Sequence, residues 1–253
     1  HMVSCENYRE PKVRNVTTKG AQPFDMLVSP SCLLVMDYHS HLCSNEIIGF
    51  LGGTWDGEKR ELKITRALPA KQLPLSEEDG NAGQEVELDP SSVPDIVEKL
   101  DANGERVVGW YHSHPVFPNQ PSLRDIENQS NYQKLFNDAE VIDDGDNMSE
   151  EKYAMFMRRK NCPFVGAIVG PYDLRNPSAV SDIRYFHVCS DDPKETNPRN
   201  FTPFQLEQEI IDGSSGSDMV IDAPSNEATN NVNNSASKEN KEPGVFATEA
   251  APA

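Results

Sequence analysis

A chain of 253 residues suggests one domain with appendages, and an apolar share of 36% is low for a chain packed throughout. The net charge of −18 disfavours broad contact with a nucleic-acid backbone, which needs Lys and Arg to displace counterions. No apolar run approaches bilayer length, and the 5 cysteines, irregularly spaced and without a CxxC pair, argue against a disulfide framework and for a reducing cytosol or nucleus.

His1-Met2 is an unusual start; it reads as a cloning remnant, and the chain as a fragment of something longer. No signal peptide follows it. Residues 1–22 are polar with scattered charges and are expected to form a flexible arm. Residues 23–211 carry the patterned sequence of a domain. "SPSCLLVMDYHSH" (29–41) predicts a helix capped by Ser29, with Pro30 in its first turn. "EIIGFLGGTWDGEKRELKITRAL" (46–68) predicts two strands joined by a Gly-containing turn. Residues 69–85 read as a polar loop. Pro90–Asn103 suits a helix with Val93, Ile96, Val97 and Leu100 on one face. "ERVVGWYHSH" (105–114) reads as a strand, and Ser122–Asn137 as a helix. The acidic stretch from 138 to 152 reads as an insertion, extending to about 160. "FVGAIVG" (164–170) and "IRYFHVC" (183–189) read as strands, and "FTPFQLEQEII" (201–211) as a closing helix. The order suggests an α/β (α+β) fold, a mixed β-sheet with helices packed on it. From residue 212 to 253 the composition is acidic, rich in Ser, Asn, Ala and Glu, with Phe246 the only aromatic residue; this predicts a disordered tail.

The chemistry concentrates in "GWYHSHPVFPNQPSLRDIENQ" (109–129). On a strand, alternate side chains share a face, so His112 and His114 project together while Ser113 points the other way. Two imidazoles so placed can chelate one ion, and a catalytic zinc site takes three protein ligands and leaves a fourth position open. Asp125 is the candidate third ligand, brought round by a turn that Pro115, Pro118 and Pro121 stiffen. A plainer reading stands beside it: Ser122 with Asp125 three residues on also resembles a helix capping box. A second His-Ser-His, His39 and His41 with Cys43 nearby, falls at a helix end, where i and i+2 do not face one another. Trp110 and Tyr111 read as core residues, and Cys43 as a small buried one.

His112-Ser113-His114, then seven intervening residues beginning with Pro115, then Ser122, two residues and Asp125, resembles the motif of the JAMM (MPN-plus) metalloproteases. "SNEIIGFLGG" matches the upstream element on which that family carries a glutamate, here Glu46. The resemblance spans roughly Phe24 to Ser190. "GWYHSHP", "PSLRDI" and "IVGPY" are closest in wording to the MYSM-like and MPN-domain-containing branch. The resemblance implies an MPN/JAMM, cytidine-deaminase-like fold. It implies one catalytic zinc held by His112, His114 and Asp125, with Glu46 as general base and Ser122 supporting the oxyanion. It further implies a nuclear or cytoplasmic isopeptidase acting on conjugates of ubiquitin or a ubiquitin-like modifier, histones among the targets. The insertions near 69–85 and 138–160 would then flank the substrate groove, the second one acidic against ubiquitin's basic face. The alternative is a scaffold subunit, non-catalytic or active only with a partner. Neither a nucleic acid nor a membrane is expected as a direct partner.

Overall fold

The computed structural model describes residues 2–13, 19–72, 88–137, 162–172, 180–192 and 194–211. Most of the stretch read as the first insertion, all of the second, and the tail from 212 lie outside the described residues.

Eight strands form one mixed sheet. In chain order the elements are β1 (Asp25–Val28), α1 (Pro30–Ser40), β2 (Ile48–Asp56), β3 (Glu61–Pro69), α2 (Val93–Asp101), β4 (Arg106–Ser113), α3 (Leu123–Asn137), β5 (Val165–Gly170), β6 (Asp182–Cys189), β7 (Thr202–Leu206) and β8 (Glu209–Ile210). Across the sheet the order is β7-β6-β5-β4-β2-β3-β1-β8. The β4–β5, β1–β3 and β1–β8 pairs are parallel and the others antiparallel. The two edge strands, β7 and β8, are separated in sequence by Glu207 and Gln208 alone. Opposite edges therefore lie side by side, and the sheet is curled almost to closure. Gln22 seals the seam: its amide donates to the carbonyls of Phe24 and Glu207 and accepts the N–H of Glu207.

The curl separates two cores. One holds Met26, Val28, Leu51, Leu62, Ile64, Tyr111, Val169, Tyr185 and Leu206, from both ends of the sheet, together with Cys32 and Met36 of α1. The other, on the opposite face, packs Ile96 and Leu100 of α2 and Ile126 of α3 against Phe50, Trp110, Ile168 and Phe186. On β4 the register shifts so that Val108 lies opposite no β2 partner, the mark of a bulge. Beyond it, Trp110 faces α3 and Tyr111 the inner core. Gly109 lies opposite Val165 of β5; a Cβ there would lie 2.4 Å from the Val165 carbonyl oxygen.

Three expectations are corrected. The segment 201–211 is not a helix but β7 and β8. Pro203 could not donate within a helix, whereas on an edge strand, opposite Val188, its missing N–H costs no ladder bond. The segment 1–22 is not simply a flexible arm, because residues 2–8 dock on the domain. The Val3 N–H donates to the Pro121 carbonyl, the Glu6 backbone pairs with Pro203 and Gln205 of β7, and Tyr8 stacks on Phe204. Cys43 is exposed, not buried, because the chain turns out into solvent after α1. Ser29 does occupy the N-cap position of α1, but its side chain makes no cap bond.

Candidate metal centre

The parallel β4–β5 pair ends at one rim of the sheet, and that rim collects the singled-out residues. His112 pairs with Ile48 of β2 on one side and Ile168 of β5 on the other. His114 lies one residue past the strand, its N–H still bonded to the Val169 carbonyl. Ser113 points to the opposite side, where its hydroxyl accepts the N–H of Ile47 at 3.0 Å. The residue between the histidines thereby clamps the segment carrying Glu46 to the strand carrying the imidazoles. Sequence reasoning missed that role.

His112, His114 and Asp125 come together, all buried. The two Nε2 atoms are 3.0 Å apart, and carboxylate oxygens of Asp125 lie 3.1 Å from His112 Nε2 and 3.5 Å from His114 Nε2. Tetrahedral zinc with bonds of about 2.0–2.1 Å sets its ligand atoms roughly 3.3 Å apart, so the donor set fits such an ion. The tautomer fits as well. His114 Nδ1 donates to the Pro118 carbonyl at 2.9 Å, which leaves its Nε2 lone pair facing the other two ligands.

Asp125 also caps its own helix. One carboxylate oxygen accepts the Ser122 N–H at 2.7 Å, and the Asp125 N–H donates to Ser122 Oγ at 3.1 Å. The capping box and the candidate ligand set are one arrangement, because the bonds that start α3 also fix the carboxylate. With its oxygen accepting from the backbone, the Ser122 hydroxyl keeps its own proton to donate elsewhere.

The electrostatics are those of a crowded cation site. Burial opposes charge on Asp125, but the two imidazoles outweigh it and hold the carboxyl well below its usual range. Burial pushes His112 down, while the bonds and charge of Asp125 overcome burial to lift His114. An ion bound here would compete with protons for the imidazoles, so its affinity would fall as the pH is lowered.

Glu46 is buried just ahead of β2. Its charge helps lift His114, which sets it within electrostatic reach of the centre. Its backbone carbonyl accepts from the Gln72 amide at 2.8 Å. The second His-Ser-His does not converge. His39 bonds to the Tyr111 hydroxyl, while His41 turns back to the Asp37 carbonyl. Trp110 and Tyr111 are core residues as expected, but Trp110 also lies face to face with His112, at 4.6 Å between centroids and 10° between planes.

Residues 25–138 match the family described as JAB1/Mov34/MPN/PAD-1 ubiquitin protease. Deubiquitinase MYSM1 of Homo sapiens is 30% identical over 207 residues, which is 82% of this chain and 21% of that protein. The histone deubiquitinase MYSM1 of Xenopus laevis is 29% identical over 220 residues, 87% of this chain and 22% of that protein. An MPN domain-containing protein of Danio rerio is 35% identical over 180 residues, 71% of this chain and 33% of that protein. The chain thus spans between about a fifth and a third of the length of these relatives.

Proposed function

Since the chain belongs to the MPN/JAMM family, we propose that it is a zinc-dependent isopeptidase that hydrolyses the bond between ubiquitin, or a ubiquitin-like modifier, and a lysine side chain. The observation that carries this reading is the convergence of His112, His114 and Asp125 at zinc-ligand spacing. Likeness to a protein named as a histone deubiquitinase supports ubiquitinated histone as the target class, and with it a place in the nucleus.

The three ligands would hold the ion. When bound, zinc supplies Lewis acidity, which polarises a carbonyl and acidifies water towards a pKa of about 7. The remaining work belongs to the chain. Glu46 takes a proton from the attacking water as its oxygen bonds to the isopeptide carbon. Ser122 donates its hydroxyl proton towards the carbonyl oxygen as negative charge develops there, an interaction stronger in the transition state than in the ground state. The carbon–nitrogen bond then breaks, and Glu46 delivers its proton to the departing lysine amine. The products are a modifier with a free carboxylate and an unmodified lysine. No covalent intermediate with the chain forms, so the cysteines have no part in it.

Glu46→Gln tests the assignment, because it keeps the shape of the side chain and removes its proton acceptor. Zinc and substrate should remain bound, while cleavage of a ubiquitin–lysine conjugate falls by roughly two to four orders of magnitude. Wild-type rates in that variant at equal zinc occupancy would remove Glu46 from the mechanism. A zinc-loaded wild-type chain that cleaves no conjugate of ubiquitin or a ubiquitin-like modifier would favour the scaffold reading.

A further inference from the structure

The two histidines of the centre are oriented by different means. A metal-ligating imidazole ordinarily donates its second N–H to a carbonyl or carboxylate, which fixes both tautomer and ring plane. His114 does so through Pro118. His112 does not: its Nδ1 is buried and, among the described residues, has no hydrogen-bond partner. What holds the His112 ring is the indole of Trp110, stacked on it nearly parallel.

Trp110 is itself tethered. Its Nε1–H donates to Gln129 Oε1 at 2.7 Å, and both side chains are buried. The Gln129 amide nitrogen donates to the Phe164 carbonyl at 2.8 Å and to Gln133 Oε1 at 2.9 Å. Gln133 in turn exchanges two bonds with the backbone of Val188 on β6. Gln129 lies four residues after Asp125 on α3, so the two share one face of that helix. One helix face therefore supplies a ligand directly and, through Gln129 and Trp110, sets the plane of another. The arrangement brings all three ligands under two devices: a capped helix and a hydrogen-bonded loop.

We propose that Trp110 and Gln129 are positioning residues for metal binding, an indole–amide brace that replaces the hydrogen bond His112 lacks. The inference rests on the reading that His112, His114 and Asp125 hold zinc. It differs from a mere packing role for Trp110 in one respect: the brace must change metal affinity through the flat aromatic face, and not only fold stability through volume.

The test is zinc affinity, measured by competition with a chromophoric chelator, for the wild type, Trp110→Leu, Trp110→Phe and Gln129→Leu. Removing a supporting group around a metal ligand typically costs 10–100-fold in affinity, the loss expected for Trp110→Leu. Trp110→Phe restores a ring face and should recover most of that loss, whereas a volume effect alone would recover less than half of it, because Phe restores only the smaller part of the volume that Leu removes. Gln129→Leu leaves the indole untethered and should fall between them. A second readout covers the case in which Trp110→Leu does not fold. In Trp55→Phe protein, Trp110 is the one remaining tryptophan, and its emission should change as zinc is titrated in. Equal zinc affinities in the folded variants, or an emission blind to zinc, would overturn the brace. A wild-type chain that binds no zinc would instead overturn the metal reading beneath it.

Discussion

Acid should weaken this fold through one buried imidazole. His187 sits on β6 against Tyr8, Phe24 and Phe204, and its ring nitrogen is bonded to the Tyr8 hydroxyl. Burial pushes its pKa from 6.5 down to about 4. Below its ordinary pKa the unfolded chain binds a proton on this residue, but the folded chain does not until the pH nears the lower value. The neutral imidazole therefore contributes stability in full above about pH 6.5, and that contribution is lost as the pH falls towards 4. One unit of displacement is worth about 1.4 kcal/mol, so the whole shift corresponds to about 3 kcal/mol. The comparison is urea unfolding of metal-free wild type and His187→Gln, at steps from pH 7 to 4. The Gln side chain can still accept from Tyr8 but does not titrate. The variant should start less stable and lose about 3 kcal/mol less across the range. Carboxylates common to both proteins cancel in the difference. Parallel stability curves would show that the folded protein protonates His187 as readily as the unfolded one, and that burial does not hold this imidazole neutral.

Asp125→Asn separates the helix cap from the metal ligand, because an amide oxygen can still accept the Ser122 N–H. Elemental analysis should show the zinc content falling from about one per chain to near zero while the melting temperature of the metal-free protein barely moves; full zinc in the variant would remove Asp125 from the ligand set. Gly109→Ala should cost roughly 1–3 kcal/mol in urea unfolding, since its methyl meets the Val165 backbone and one of the two strands must shift. Wild-type stability would mean that β4 and β5 are not packed as closely as described. Gln22→Leu should lose about 1–3 kcal/mol, because it strands the backbone groups of Phe24 and Glu207 without partners. An unchanged urea midpoint would show that water replaces the amide.

The candidate metal centre was legible because its parts obey short-range rules. Alternation on a strand aligned His112 with His114, and a three-residue helix-start rule tied Ser122 to Asp125. The cap and ligand readings do not compete, since the carboxylate that caps the helix also lies beside both imidazoles. Glu46 was singled out only through family likeness. Its place depends on pairing between β2 and β4, and nothing local distinguishes it from the other acidic residues. Trp110 was correctly read as core, but its stacking on His112 and its bond to Gln129 join a strand to a helix, and no local pattern encodes that. The strands at the sheet's edges were the hardest to read. β1, one place in from the edge, is only four residues long, and Phe201 and Phe204, three apart, mimic a helical pair until the register with β6 is known. The first residues read as an arm because their apolar content is small. Backbone bonds and the Tyr8 ring do the docking instead.

The seam closed by Gln22 has a consequence for how the domain breathes. In an open sheet, the two outer strands can fray independently of each other. Here β7 and β8 are consecutive stretches of one chain on opposite edges, so loosening either one pulls on the other. The margins of the sheet behave as a single cooperative opening unit. Amide protons on β1, where β8 docks, should then exchange with solvent at rates that rise and fall with those on β6, where β7 docks, although the two strands stand five places apart in the sheet.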